Sequence, residues 1–170
     1  ASRKVEKLVP QRGNILACDG RLLATTIPEY EIRMDCKILK KEYLSPEFDA
    51  RSFKKKGWPV NESEWRAEAR LLAQGLSSTL GGGSADDYYN MIIKWRESPR
   101  GGRNVTIAKK VDHETYLALK KLPLWRKGQN IGGLMVDMTY SRRYPYGTLG
   151  RRVIGYCKLS DTTERKIGLE

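Results

Sequence analysis

Two short segments near opposite ends of the chain constrain its fold more than any other feature: Arg12-Gly13-Asn14-Ile15 leading to Asp19-Gly20, and Arg143-Tyr144-Pro145-Tyr146-Gly147. Gly13 is free to take positive φ, Asp19-Gly20 predicts a two-residue hairpin turn, and Pro145 fixes its own φ while driving Tyr144 into an extended conformation. Residues of this kind decide where strands turn rather than which bonds break. An arginine stands beside each device. Both ends of the chain are therefore expected to be strand-and-turn structure.

Hydrophobic periodicity fills in the rest. Tyr30, Ile32 and Met34 alternate with Glu29, Glu31, Arg33 and Asp35, which predicts a half-buried strand. From Asn61 the period changes. Asn61 with Glu64 three residues on spells a capping box before Trp65, Ala69, Leu72 and Leu76, and Gly81-Gly82-Gly83 stops that helix. Ser84 caps a second helix carrying Tyr88, Ile92 and Trp95, which stops before Ser98-Pro99. Val105–Ala108 reads as a short strand, and Asp112 opens a third helix through Tyr116 and Leu119 that Pro123 closes. Leu134, Val136, Met138 and Tyr140 then alternate with Met135, Asp137 and Thr139 in the clearest strand pattern. A short helix is expected over 148–156. The fold class is α+β: a β-rich lobe of both chain ends, about 1–36 and 129–170, around a mainly helical inserted lobe of about 37–128.

A chain of 170 residues buries roughly 70% of its unfolded surface, so 1–170 is read as one domain with two lobes. No run approaches the roughly 20 apolar residues of a membrane span. Cys18, Cys36 and Cys157 are odd in number and widely spaced, which indicates neither a zinc site nor a disulfide framework. His113, between Asp112 and Glu114 near a helix start, suits a solvated or capping role. No metal and no cofactor are expected. The formal net charge is +12, which raises a basic nucleic-acid-binding module as the alternative reading. The basic pairs are scattered among acids and apolar residues, however, and no nucleic-acid-binding signature occurs, so no nucleic acid is expected. Excess Lys and Arg also suit an anionic membrane surface, at about 1 kcal/mol per cation close to it.

In sequence the chain resembles the non-catalytic N-terminal region of class B penicillin-binding proteins. That family's first block, Arg-Gly-x-Ile-x-Asp-Arg-Asn-Gly-x-x-Leu-Ala, is met by Arg12, Gly13, Ile15, Gly20, Leu23 and Ala24. Ala17, Cys18 and Asp19 stand where the family usually has Asp, Arg and Asn, though Asp19 still suits the turn. The second block, Arg-x-Tyr-Pro-x-Gly with a following Val-Ile-Gly-Tyr, is met by Arg142, Tyr144, Pro145, Gly147 and Val153-Ile154-Gly155-Tyr156. The third, Gly-x-x-Gly-x-Glu, is met by Gly168 and Glu170, with Arg165 in place of its first glycine. Three blocks in the family's order frame the whole chain.

The resemblance implies a pedestal or dimerisation domain of a peptidoglycan D,D-transpeptidase. Its family position is the extracytoplasmic, periplasmic face of the bacterial inner membrane, behind an N-terminal membrane anchor. Implied partners are a covalently linked transpeptidase domain, a polytopic glycan polymerase and other division or elongation proteins. The septal type is favoured by Val153-Ile154-Gly155-Tyr156 and the compact insert. Arg12, the Arg142-Arg143 pair and Glu170 are expected to converge at the junction with the catalytic domain, as arginine can pair with a carboxylate and bond backbone carbonyls.

Catalysis is not expected of this chain. A transpeptidase of the family needs a serine in Ser-x-x-Lys, a second motif of Ser-x-Asn type, and Lys-Thr-Gly or Lys-Ser-Gly, because an alcohol must lose its proton to a base while donors hold the oxyanion. Ser52-Phe53-Lys54-Lys55 spells the first by chance within a lysine cluster. Tyr88-Tyr89-Asn90 spells a variant of the second inside a helix where Tyr88 is needed for packing. The third does not occur in the sequence.

Overall fold

A computed structural model describes residues 12–148, 154–159 and 166–169. Contacts group the chain into two units, 1–28 with 140–170, and 29–139. The sequence placed the lobe boundaries near residues 36 and 129; the contacts divide at 28/29 and 139/140. Strand packing explains the difference. Tyr30, Ile32 and Met34 after the first cut, and Leu134 and Val136 before the second, pack with the core residues of the helices, so the stretches that carry them group with the helical segment.

In the first unit, β1 (Ile15–Leu16) pairs antiparallel with the start of β2 (Leu22–Met34), with Ile15 opposite Ala24 and Leu16 opposite Leu22. The hairpin exists, but its turn is longer than the expected two residues. Ala17 N donates to Arg21 O at 2.8 Å and Gly20 N to Ala17 O at 3.0 Å, so Cys18, Asp19 and Gly20 form the loop, with Gly20 at φ 81°. A turn closed by a left-handed glycine matches strand twist as a primed turn does. Near the other end, β5 (Tyr156–Leu159) and β6 (Lys166–Leu169) make an antiparallel hairpin with Tyr156 opposite Leu169. Most of the helix expected over 148–156 lies outside the described residues, but Tyr156 opens a strand instead of ending a helix. Gly155, at φ 75°, stands where helical backbone stops.

The second unit holds the core. Tyr30, Ile32 and Met34 of β2 are buried, and β3 (Val105–Val111) pairs with them antiparallel, Met34 opposite Val105 and Tyr30 opposite Val111. Between the Ala108 and Val111 pairings β3 has one more residue than β2, a bulge that holds Lys110 at φ 55°. Between β2 and β3 the chain builds α1 (Ala50–Lys55), α2 (Glu62–Leu80) and α3 (Ala85–Glu97), and after β3 it builds α4 (His113–Lys120) and the single turn α5 (Gln129–Gly132). β4 (Leu134–Arg143) also pairs with β2.

Caps start each long helix where the sequence places them. Asn61 Oδ1 accepts from Glu64 N at 2.8 Å, but the Glu64 carboxylate accepts from Val60 N at 3.0 Å, one residue short of a reciprocal box. Ser84 and Asp87 do form the box, with Asp87 N on Ser84 Oγ at 3.1 Å and Ser84 N on Asp87 Oδ2 at 2.9 Å. Gly81 ends α2 at φ 64°. Trp65, Ala69, Leu72 and Leu76 pack against Ile92, Leu119, Trp125 and the β2 residues. Each fully buried Leu, Ile or Met there contributes about 1.5–3 kcal/mol.

Two faces differ from the periodicity. α3 buries Ile92 and Arg96 while Trp95 is 37% exposed, so its inward face is turned by one residue. The cause is an arginine whose charge is satisfied internally, which no polarity pattern marks as core. On β4, Leu134 is buried with Val136 packed on the same cluster, but Met138 and Tyr140 are exposed. Among the described residues the core cluster extends along β4 only as far as Val136.

Candidate functional site

Within the first unit, Arg142 joins the two sequence blocks. Its Nη1 donates to Gly13 O at 2.7 Å and to Thr26 Oγ1 at 3.0 Å. The Thr26 hydroxyl donates in turn to Arg12 O at 3.0 Å, using its one proton on a carbonyl and its lone pair on the guanidinium. Beside it, Thr25 Oγ1 donates to Asn14 Oδ1 at 2.8 Å. The edge segment 12–14 is thus fastened to β2 and β4 by side chains. A charge-assisted bond to a carbonyl is about twice as strong as a neutral one, so Arg142 is the principal tie.

A second tie links the turns. Arg21 Nε donates to Asp19 Oδ2 at 2.6 Å, and Asp19 Oδ1 accepts from Arg21 N at 3.1 Å. That places the Arg21 guanidinium 5.9 Å from the centroid of the Tyr146 ring. Tyr146 is carried by a turn in which Gly147 N donates to Tyr144 O at 3.0 Å, with Pro145 second in the turn and Gly147 at φ 58°. The cation–π contact contributes about 0.5–1 kcal/mol at such an exposed place.

Against the expected convergence, the structure brings Arg142 to Gly13 O and to the Thr26 hydroxyl, and it is that hydroxyl which bonds Arg12 O. Arg143 follows on β4, is exposed, and by strand alternation points to the opposite face from Arg142. Gly13 departs from its reading: it is not among the glycines at positive φ, and a Cβ there would meet nothing within 4 Å. Its contribution is its carbonyl. Ile15 pairs with Ala24, and Gly168 stands opposite Cys157 in the second hairpin. Glu170 lies outside the described residues. Thr25 and Thr26 were missed, since strand threonines carry no signal beyond β-propensity.

The catalysis-like spellings sit on structural elements. Ser52 N donates to Asp49 Oδ1 at 3.1 Å at the start of α1, whose Phe53 packs on Phe48 and Trp58. Tyr88 packs against the core. Asp112, not His113, caps α4 by accepting from Thr115 N at 3.2 Å, and His113 Nδ1 lies 2.9 Å from Tyr30 Oη. Burial pushes the Cys36 thiol up to about 12, so it stays protonated and unreactive. Among the described residues no group of three or more His, Cys, Asp or Glu side chains is placed to hold a metal.

The most demanding polar centre lies in the second unit and was not foreseen. Arg96, fully buried, donates from Nη1 to Cys36 O at 2.7 Å and Ile38 O at 3.1 Å. Its Nε and Nη2 fork onto the Glu62 carboxylate at 2.9 and 2.7 Å, and its Cζ lies over the Trp65 ring, 3.6 Å from the centroid. Partial burial pulls the Glu62 pKa up, but hydrogen bonds from Arg96 and Arg66 outweigh it and leave the carboxyl below its ordinary value. This centre ties α2, α3 and the segment after β2 together.

Comparison with known proteins places these features. A family model described as the penicillin-binding protein dimerisation domain matches residues 7–167. Among solved structures, penicillin-binding protein 2X from Streptococcus thermophilus aligns with a TM-score of 0.52 at 21% identity, over 92% of this chain and 20% of that one. The complex between penicillin-binding protein PBP2 and MreC from Helicobacter pylori aligns at 0.40 and 15%, over 92% and 23%. The first likeness is one of fold. This chain spans about a fifth of the length of these structures. No curated protein sequence matches.

Proposed function

The chain belongs to the penicillin-binding protein dimerisation-domain family, and from that premise we propose that it is the non-catalytic pedestal of a class B peptidoglycan D,D-transpeptidase. The observation that carries the reading is the Arg142 tie. One guanidinium fastens the block at residues 12–14 to the block at residues 142–147 within one unit. Such a unit has the form of a positioning device: its polar groups bond one another and its own backbone. Ser52, in a six-residue helix with its backbone N–H on Asp49, lacks the setting of an activated nucleophile.

In this role the domain carries a covalently linked transpeptidase domain on the extracytoplasmic side of the membrane. It also offers surfaces to a polytopic glycan polymerase and to other division or elongation proteins. The septal type is favoured by Val153-Ile154-Gly155-Tyr156. Among the described residues no helix is long and apolar enough to cross a membrane. Labelling with a fluorescent penicillin tests the assignment: the full-length protein takes label and the 170-residue segment does not. Stoichiometric label at Ser52 of the segment, or none on the full-length protein, overturns it.

A further inference from the structure

A half-open hollow of about 590 Å³ lies in the second unit between α4, the 3-10 turn Trp125–Lys127 and the first half of β4. That volume falls in the range of ligand-sized clefts. Its floor includes Leu117, Trp125 and Val136, and Lys120, Lys121 and Arg126 stand at its rim. Leu117 is 42% exposed, so part of its side chain is open to an incoming apolar group.

The three rim cations are exposed, and among the described residues none has an ion-pair partner. Lys127 in the same turn, by contrast, is paired with Glu68. Like charges gathered at one rim repel, and an acidic ligand relieves that repulsion.

The backbone beneath the hollow is strained. Leu124 is buried at φ 67° and ψ −55°, and Trp125 N donates to Pro123 O at 2.9 Å, which makes a γ-turn of the rarer hand. Strain of this kind persists where the surroundings over-determine it and is commonest at ligand sites. Trp125 Nε1 is buried without a hydrogen-bond partner. Val136 lies on β4, whose ladder partner among the described residues is β2.

We propose that this groove receives an extended acidic peptide segment of a partner protein. Its carboxylates meet Lys120, Lys121 and Arg126, and an apolar side chain enters the hollow against Leu117 and Val136. Concavity favours a peptide over a membrane: a bilayer surface meets flat or protruding elements, whereas a side chain can reach into a cleft. The proposal deepens the interaction reading above and rests on it only for the partner's place; penicillin labelling decides that reading separately.

The test is a titration of the ¹⁵N-labelled domain with the blocked peptide Ac-Glu-Glu-Leu-Val-Glu-Glu-NH2, followed by amide and indole resonances. The expected result is shifts confined to residues 116–121, 125–129 and 134–136, with the Trp125 indole N–H among them. Lys120→Gln/Lys121→Gln/Arg126→Gln weakens binding by about fivefold or more, and Lys54→Gln/Lys55→Gln/Lys56→Gln leaves it within about twofold. A peptide with Ser-Ser for Leu-Val also binds more weakly. Equal losses in the two triple variants, or shifts spread over the basic surface, overturn the site. Phosphatidylglycerol vesicles that shift these resonances while the peptide does not overturn the peptide in favour of lipid.

Discussion

Replacing Arg96 with alanine removes a fully buried cation with five hydrogen bonds and a stacked indole. The carbonyls of Cys36 and Ile38 lose their guanidinium donor, and a buried acceptor left unmet costs about 1–3 kcal/mol. Glu62 loses its principal cationic partner beside a new cavity, and the cation–π contact, worth about 2 kcal/mol when desolvated, is lost. Relief of the guanidinium's own desolvation offsets part of this, so the net loss expected on breaking such a pair is about 3–5 kcal/mol. For a domain of this size that lowers Tm by about 6–20 °C. Trp58, Trp65, Trp95 and Trp125 all fall within residues 29–139, so tryptophan fluorescence in urea follows that unit. Arg96→Lys recovers less than half of the loss, since an ammonium cannot fork onto Glu62 while reaching both carbonyls. A loss under about 1 kcal/mol for Arg96→Ala, or no coupling in a double-mutant cycle with Glu62→Gln, refutes the reasoning.

Three further outcomes are expected. Gly132→Ala costs more than about 2 kcal/mol in urea unfolding, because its Cβ would stand 2.3 Å from Leu124 O, whereas Gly81→Ala, at φ 64° and ψ 6° in open space, costs only the left-handed backbone term of about 1–2 kcal/mol. Glu62, with its folded pKa held below 4.5, stabilises fully above that pH, and the contribution is lost as pH falls through the folded value. The acid limb of a fluorescence-monitored pH titration is therefore shallower in Glu62→Gln. Thr26→Val removes the donor to Arg12 O and an acceptor from Arg142, costing about 1 kcal/mol, read as faster hydrogen exchange at Ile15 and Ala24 with the 29–139 amides unchanged.

Much of the helical segment is legible in the sequence because its signals are local. Asn61, Ser84 and Asp112 cap within three residues of themselves, and Trp65, Ala69, Leu72 and Leu76 share one face of α2. The features that escape depend on partners far away. Arg96 is core because Glu62 and the carbonyls after β2 come to it across 34 and more positions, and polarity alone assigns an arginine to the surface. Trp95 errs in the opposite sense for the same reason. The Asp19-Gly20 turn is recognised from its residues, but its length follows from the Ala17–Arg21 pairing. Of the candidate site, Arg142 and the turn at Pro145 were visible as motif residues, whereas the Thr26 hydroxyl between them was not.

Arg142→Ala in the proposed full-length transpeptidase tests the central claim most directly, with penicillin acylation and cross-linking of newly polymerised glycan measured on one preparation. If the domain positions a separate catalytic domain, the acylation rate stays within about twofold while cross-linking falls by about tenfold, and Arg142→Lys restores part of it. Unchanged cross-linking, or acylation that falls in parallel with it, contradicts a positioning role for the Arg142 tie.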